Sequence, residues 1–283
     1  MILPANGILK LNAPSALLLP AHIRAKGQIR AEFSRHGQRT SIARVHETGG
    51  LRLRFPNVAH GCEAVILNSG GGIAGGDRHA LAFEAGAGAE VTLTTQAAEK
   101  VYRAQGVAAE MAVSLHLATG SHLEWLPQET ILFDHSALSR KLEVDMAPDA
   151  TLTMMETIVF GRLAMGEACI STRLRDSWRV RRGGVLVFAE ELAVGGCTEL
   201  DRPALGGGAR AVATLLHVAP GAEARLEAVR AGLATAACEA GASAWNNMLL
   251  VRAASPSPQQ VRAAIVAVME VLRGRGAPRV WQS

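Results

Sequence analysis

Bulky apolar residues alternate with polar ones along much of the chain, and this alternation recurs in units of similar length. Each unit has an alternating stretch, a small turn built from Ala, Gly, Pro or Asp, and a second alternating stretch. Such alternation places the bulky side chains on one face of a β-strand. The four copies are HALAFEAGAGAEVTLTT from His79, MAVSLHLATGSHLEWLPQ from Met111, KLEVDMAPDATLTMME from Lys141 and AVATLLHVAPGAEARLEA from Ala211. The pattern predicts a mainly β protein.

The turns of these units follow a regular spacing. They fall near Gly86, Thr119, Pro148 and Pro220, and the first three are roughly 30 residues apart, a period typical of stacked supersecondary units. We therefore predict a solenoid-like or layered β-sheet architecture built from repeated hairpin units. The gaps between strands are too short for crossover helices, which argues against a doubly wound parallel fold.

Only a few short helices are predicted beside the strands. One covers Ala97 to Gln105. The other, near the C-terminus, covers Ser257 to Arg273, where Ser257 is a suitable cap, Pro258 suits the first turn and Gly274 the exit. Both helices would cover sheet edges.

Length and composition are typical of a globular protein. The 283 residues and the 49% hydrophobic content are sufficient for a well-buried core. We see no Ser/Gly linker and predict one domain over residues 1–283, whose last residues, RVWQS, dock as a final strand. No apolar run approaches the roughly 18 residues of a membrane span, and no secretory leader is evident. We expect a soluble, cytoplasmic protein with no membrane partner.

Charge and cysteine usage narrow the functional classes. The net charge is +4, but the arginines are dispersed, whereas non-specific nucleic-acid binding needs a concentrated basic face. A nucleic-acid partner is therefore not expected. The four cysteines are far apart and form no CxxC pair, so we expect reduced thiols.

The glycine-rich run GGGIAGGD from Gly70 to Asp77 satisfies the GxGxxG pattern of dinucleotide sites. The sequence after the run does not fit a dinucleotide site, because the chain returns to strand alternation and does not begin a helix that could hold a pyrophosphate. A P-loop would need Lys in the position of Asp77. We interpret the glycines as positive-φ turns or points of close backbone approach, with Asp77 capping the turn.

Five carboxylates lie in or beside strongly apolar strands, where an unpaired charge costs on the order of several kcal/mol. They are Glu124, Glu129, Asp134, Glu156 and Glu167. One interpretation pairs them with Arg140, Arg162 and Arg173. The other is a polar passage along which a divalent cation moves between weak oxygen ligands. The nine histidines form no HxH or HExxH pattern, so no fixed zinc site is indicated.

Seven blocks in fixed order resemble one known family, urease accessory protein D, also called protein H, of the nickel-urease maturation system. The blocks are SRHGQRTSIAR from Ser34, GGGIAGGD, TTQAAEKVYR from Thr94, LEWLPQETILFD from Leu123, GRLAMGE from Gly161, DSWRVRRGGVLVFAE from Asp176 and the terminal PRVWQ. One departure is Asn68-Ser69 before the glycine loop, where many members carry a His-Pro type sequence. A histidine ligand is therefore not carried over.

The resemblance implies a mostly β, solenoid-like fold and a non-catalytic role in urease maturation. It implies binding to accessory protein F, through F to the GTPase accessory protein G, and to the urease apoprotein. It also implies a route for Ni²⁺, held transiently, with no permanent cofactor. Our candidates for the nickel conduit are Glu129, Asp134, Glu156 and Glu167.

A competing hypothesis is a β-solenoid polysaccharide hydrolase or lyase that uses Glu129 and Asp134 as an acid/base pair. Sugar-binding grooves of that kind are lined by aromatic residues, and this chain has 4% aromatics with a single tyrosine. A purely structural interaction protein without a metal role also stays open.

Overall fold

The computed structural model describes residues 24–162, 165–167 and 171–282, in which two facing β-sheets are flanked by helices. The strands are β1 (Lys26–His36), β2 (Arg39–Thr48), β3 (Leu51–Arg54), β4 (Cys62–Asn68), β5 (Arg78–Ala85), β6 (Glu90–Thr95), β7 (Glu99–Val101), β8 (Ala109–Leu117), β9 (His122–Leu126), β10 (Thr130–Leu132), β11 (Ala137–Met146), β12 (Thr151–Phe160), β13 (Arg173–Arg182), β14 (Val185–Val194), β15 (Ala211–Val218), β16 (Glu239–Trp245) and β17 (Met248–Ser255). The α-helices are α1 (Cys197–Leu200), α2 (Leu226–Leu233) and α3 (Pro258–Arg273).

The two strands of each of the first three repeat units lie in opposite sheets. Sheet A has the order β14-β13-β11-β8-β5-β1-β2, and sheet B has the order β16-β17-β15-β12-β9-β6-β4-β3. In sheet B, β10 also pairs with β12, and β7 pairs with β10. Each strand pairs in parallel with the corresponding strand of the next unit, as in β5, β8 and β11 of sheet A and β6, β9 and β12 of sheet B. The units therefore stack as coils, which confirms the mainly β, solenoid-like prediction.

The inner faces of both sheets form the core between them. Alternate residues of β5 and β8 are buried there, for example Leu81, Phe83, Val113 and Leu115. Burying an aliphatic or aromatic side chain of this size contributes about 1.5–3 kcal/mol, so the alternation fixes which face of each strand points inward. A second apolar layer lies between the outer face of sheet B and helices α2 and α3.

The predicted helix over Ala97 to Gln105 is wrong. Residues Glu99–Val101 form β7, which pairs in parallel with β10, and the Glu99 amide donates to the carbonyl of Glu129 at 2.8 Å. Val101 is fully buried in this pairing. Pairing with a distant strand outweighed the local helical propensity, which a single stretch of sequence does not reveal.

Two other local predictions are wrong. The second arm of the unit from Ala211 is not a strand but a 3-10 helix (Ala222–Arg225) followed by α2. The C-terminal residues form a 3-10 helix (Arg279–Gln282) instead of a last strand. Helix α3 is confirmed, with Gly274 at φ 62° as its exit.

The Ser257 cap of α3 differs in detail from the prediction. Its hydroxyl donates to the Gln259 side chain at 3.1 Å and accepts no hydrogen bond from a helix amide. The Ser257 backbone carbonyl instead accepts from the amides of Gln260 and Val261. The helix therefore starts where predicted, with a different hydrogen-bond partner.

The glycine loop has the predicted role in tight turns and close contacts. Gly71 has φ +71°, and a Cβ on Gly75 would lie 2.6 Å from the Val107 carbonyl oxygen. Asp77 caps the turn, because its carboxylate accepts from the amides of Ala74 and Ala25 at 2.8 Å. The chain then enters β5, as predicted.

The outer face of sheet B carries a row of polar side chains in register across five strands. Glu63, Thr92, Glu124, Thr153 and His217 are consecutive partners from β4 to β15. Thr92 donates to Glu124 at 2.6 Å, and the Thr153 hydroxyl lies 2.9 Å from His217 Nδ1. All five residues of the row are buried.

Arginines at the end of α3 neutralise the centre of this row. Arg273 Nε donates to Glu124 at 2.8 Å, and both side chains are 3% exposed, while Arg275 approaches the second oxygen at 3.3 Å. These bonds lower the pKa of Glu124 against the opposing effect of burial. Glu124 is thus explained by an ion pair that ties α3 to β9.

Membrane-spanning helices are not found in the part of the chain that the structure describes, since each helix there is too short or too polar. Cys62 and Cys238 are free thiols. Cys169 lies outside the described residues.

Candidate functional site

Arg140 forms the centre of a buried acidic cluster between the two sheets. Its guanidinium donates to both oxygens of Asp176, at 2.9 and 2.6 Å, and to Glu156 Oε2. The other Glu156 oxygen accepts from the Trp125 indole at 2.9 Å. Arg140, Glu156 and Asp176 are each no more than 4% exposed. Bidentate, charge-assisted bonds of this kind are what allow such charges to be buried.

Strand register brings the cluster together. Arg140 on β11 is the direct partner of Asp176 on β13, and Glu156 reaches them from β12 of the facing sheet. Each of the three charged side chains points inward from its strand and lies between residues of two separate apolar clusters. Leu142 belongs to one of these clusters and Leu138 to the other. The charged residues therefore form a polar layer that divides the apolar interior.

A small cavity adjoins this layer. It measures about 20 Å³, enough for roughly one water, and is lined by Glu156, Asp176, Glu190 and Thr214 among others. A wider cavity of about 450 Å³ next to it shares Glu190 and Thr214. Glu190 accepts from Thr214 at 3.5 Å and from Arg252, which is largely exposed, at 2.9 Å. Three carboxylates thus lie along a short path from the buried arginine toward the surface.

Burial favours the protonated forms of Glu156 and Glu190. It raises the pKa of Glu156, the nearby Asp176 charge adds to the effect, and Arg140 opposes it. Burial likewise raises the pKa of Glu190, with Arg252 opposing. One internal arginine faces three carboxylates, so the cluster holds excess negative charge that a proton or another cation would compensate.

A surface groove of about 910 Å³ lies at the ends of β7, β10 and β12, against the start of α3. Three of the sequence blocks meet there: TTQAAEKVYR, LEWLPQETILFD and GRLAMGE. Another block, GGGIAGGD, supports the groove from behind, because the Tyr102 hydroxyl donates to the Gly71 carbonyl at 2.7 Å. The lining comprises Lys100, Tyr102, Glu129, Ile131, Phe133, Val159, Gly161, Arg162, Met165, Pro256, Ser257, Pro258, Gln259 and Arg262.

Three of the four candidate nickel residues lie in or near this groove, each with protein partners. Glu129 accepts from Arg262 at 2.7 Å. Glu167 pairs with Arg162 at 2.9 Å, which lowers the Glu167 pKa. Arg140 and Arg162 are thus salt-bridge partners as expected.

Asp134 and Arg173 complete the set of predicted residues. One Asp134 oxygen accepts from the amides of His135 and Ser171 at 3.0 Å. Arg173 donates to the Gly106 carbonyl at 3.0 Å. The fourth candidate, Glu156, is in the buried acidic cluster, so the four candidates divide between a surface site and an interior site.

Glu99 is a further carboxylate behind the groove, half-buried and missed in the sequence because its segment was taken for a helix. Asn68 Nδ2 lies 3.2 Å from both Glu99 oxygens and 3.0 Å from the Gly72 carbonyl. Burial raises the Glu99 pKa to about 7, against the Asn68 hydrogen bond. A neutral amide therefore holds this acid in place.

Replacing Glu99 by glutamine is expected to remove a pH dependence of stability. Unfolded Glu99 titrates near 4.5 and folded Glu99 near 7, so the native state keeps a proton that the unfolded state loses. The stability of the wild type therefore falls as pH rises from 4.5 to 7, by ~2 kcal/mol after allowance for partial exposure. Urea unfolding at about pH 5 and about pH 8 measures it. A Glu84→Gln variant, altered at an exposed position, should keep the wild-type slope; an equal slope in Glu99→Gln would contradict the assignment.

The cluster residues Asp176 and Glu190 were not among the predicted sites. Asp176 begins the block DSWRVRRGGVLVFAE and Glu190 ends it. Both alternate with apolar residues on the inward face of their strands, where a carboxylate is unexpected. A carboxylate on the inward face of a strand would have marked both residues as site candidates. Recognising that face, however, requires the strand register.

Comparison with known proteins shows similarity over most of the chain. Residues 25–282 match the model of the family described as UreD urease accessory protein. A protein named urease accessory protein UreD from Beijerinckia indica is 53% identical over 262 residues, covering 91% of this chain and 97% of that protein. Proteins of the same name from a Methylobacterium species and from Xanthobacter autotrophicus are 50% and 46% identical, covering 87% and 91% of this chain and 90% of each relative. The chain therefore belongs to the UreD urease accessory protein family.

Proposed function

We propose that this protein is a non-catalytic scaffold that helps to insert Ni²⁺ into the urease apoprotein, together with accessory protein F and, through F, the GTPase accessory protein G. The observation that carries the proposal is the family match over residues 25–282. The nucleotide-driven step belongs to the GTPase, since the glycine loop here leads into a strand and supports Tyr102 instead of a phosphate.

Within that role, the buried acidic cluster supports a path for the metal. Glu190, near the surface, and Glu156 with Asp176, in the interior, line one small cavity. Carboxylate oxygens bind Ni²⁺ less tightly than clustered thiolates, which suits transfer better than storage. No group of three or more His, Cys, Asp or Glu in the described residues has the geometry of a fixed metal site. In this proposal the metal passes the carboxylates one after another.

The second part of the proposed path consists of Glu129, in the groove, and of Asp134 and Glu167, near it. The ion pairs of Glu129 with Arg262 and of Glu167 with Arg162 would have to open for a metal to bind. Arg162 is 44% exposed, so opening its pair with Glu167 costs only about 0–1 kcal/mol. The Arg262–Glu129 pair is less exposed, and opening it costs more. Transient binding at these acids is compatible with their present partners.

The test of the proposal is a deletion of this gene in cells that express the urease operon with nickel supplied. Urease activity and nickel bound to purified urease are measured with and without the wild-type gene on a plasmid. We expect both to fall in the deletion and to return with the plasmid. Fully active, nickel-loaded urease in the deletion would overturn the proposed function.

Glu156→Gln in the same complementation assay tests the metal path. The amide keeps the shape and the Trp125 contact but cannot ionise to bind a cation, so we expect severalfold less nickel in urease while the accessory complex still co-purifies. Glu143→Gln, on the exposed face of β11, is the matched control and should restore full loading. Equal loading by both variants would make Glu156 a structural residue only.

A further inference from the structure

The surface groove is unusually apolar for an exposed surface. Ile131, Phe133 and Val159 form its floor, and Met165, at its edge, is 74% exposed. Tyr102 packs edge-to-face on Phe133 with 5.2 Å between ring centroids. Exposed methionine and aromatic side chains around an apolar floor are typical of protein-binding surfaces.

The charges of the lining side chains indicate which kind of ligand the groove would bind. Its lining has three cationic side chains, Lys100, Arg162 and Arg262, and one carboxylate, Glu129. Arg262 is paired with Glu129, and Arg162 lies 4.5 Å above the Phe133 ring and pairs with Glu167 outside the lining. Lys100 is exposed at the rim. The lining is therefore net positive, which complements an acidic group on an otherwise apolar ligand.

The hydrogen bonding of the strands that form the floor favours a helix as the ligand of the groove. Strand β10 is hydrogen-bonded to β12 on one side and to β7 on the other, and Val101 of β7 also bridges to Ile73. An incoming strand would find no open edge at the floor, so recognition must use side chains. An amphipathic helix laid in an apolar groove does this.

We propose that this groove binds an amphipathic helix of another protein, which places apolar side chains on Ile131, Phe133 and Val159 and a carboxylate beside Lys100. The inference rests on the proposed function in one respect: accessory protein F is the probe chosen to test it. Aspartate or glutamate on the polar edge of the helix pairs with Lys100, and this pairing fixes the orientation of the helix.

Titration of purified accessory protein F into the purified chain tests the inference. Lys100→Glu and Met165→Asp alter exposed groove residues, so both variants should fold normally, and each should weaken binding by about tenfold or more. Lys141→Glu and Val185→Asp make the same chemical changes at exposed positions of sheet A and should bind like the wild type. A lysine substitution in F that restores binding to Lys100→Glu identifies the carboxylate.

The outcomes separate the two proposals. If F binds the wild type and all four variants equally, the groove inference is overturned and the proposed function stands. If F does not bind the wild type at all, the result contradicts the partnership with F in the proposed function and also overturns the binding of a helix of F in the groove. Self-association of the chain alone that Lys100→Glu and Met165→Asp abolish would assign the groove to a second copy and overturn the helix proposal.

Discussion

Replacement of Arg140 by methionine is expected to lower the free energy of unfolding by about 3–5 kcal/mol, because it leaves the buried Glu156 and Asp176 without their cation. Both carboxylates are almost inaccessible to water. Urea denaturation followed by circular dichroism measures the change. Lys141→Met, one residue away on the exposed face of β11, controls for the loss of a charge and should alter stability little.

The effect of the unpaired carboxylates on stability can be separated from the effect of the lost side-chain volume. Arg140→Met combined with Glu156→Gln and Asp176→Asn removes the stranded charges, so much of the stability should return, since uncharged replacements of buried ion clusters are often neutral. A triple variant as unstable as Arg140→Met alone would show that packing, and not charge, determines the effect.

Trp281→Ala is expected to cost about 3–5 kcal/mol, the range for truncating a buried large aromatic side chain. Trp281 is 6% exposed, and its indole donates to Thr94 Oγ1 at 3.1 Å on the outer face of sheet B. The Arg262 guanidinium lies 4.6 Å above its ring and donates to its carbonyl at 2.6 Å. Thermal and urea unfolding of the purified variant would measure the loss.

Trp281→Phe is the matched variant for this position. It keeps most of the apolar contact with α3 but removes the indole N–H, so we expect a loss of only about 1–2 kcal/mol. Because Arg262 also lines the surface groove, Trp281→Ala should in addition weaken binding there. A Phe variant as unstable as the Ala variant would assign the stability to the hydrogen bond with Thr94 alone.

The repeat units were predictable from sequence because their physical cause is local. Alternation in Val113, Leu115 and Leu117 determines a strand with one buried face, and turn residues near Gly86 and Pro148 mark where it ends. Which strand each one pairs with is a long-range property. Nothing within a unit distinguishes pairing to its own second arm from pairing to the next coil.

The wrong predictions have the same origin. Ala97 to Gln105 is locally compatible with a helix, but β10 supplies backbone partners for Glu99–Val101 that outweigh this preference. The second arm of the last unit was taken for a strand because the preceding arm alternates. The helical spacing of Leu226, Val229 and Leu233 continues beyond the end of that unit. Local patterns compete, and contacts from distant segments decide between them.

The candidate site was predictable only in part. Carboxylates in apolar strands and available arginines indicated buried ion pairs, and Arg140 with Glu156 is one. Asp176 joins them through its register with Arg140 on the neighbouring strand, and Glu190 through the adjacent hairpin. These positions depend on the sheet order, which the sequence pattern leaves open.

Parallel stacking of the coils also affects how the chain is made. Each new strand in the stack pairs with one that was synthesised roughly 30 residues earlier, so contacts of moderate sequence separation suffice to extend both sheets. Folding can therefore follow synthesis from the N-terminal coils onward. Until β11 and β12 emerge from the ribosome, β8 and β9 present open edges, and the nascent chain is then most vulnerable to aggregation.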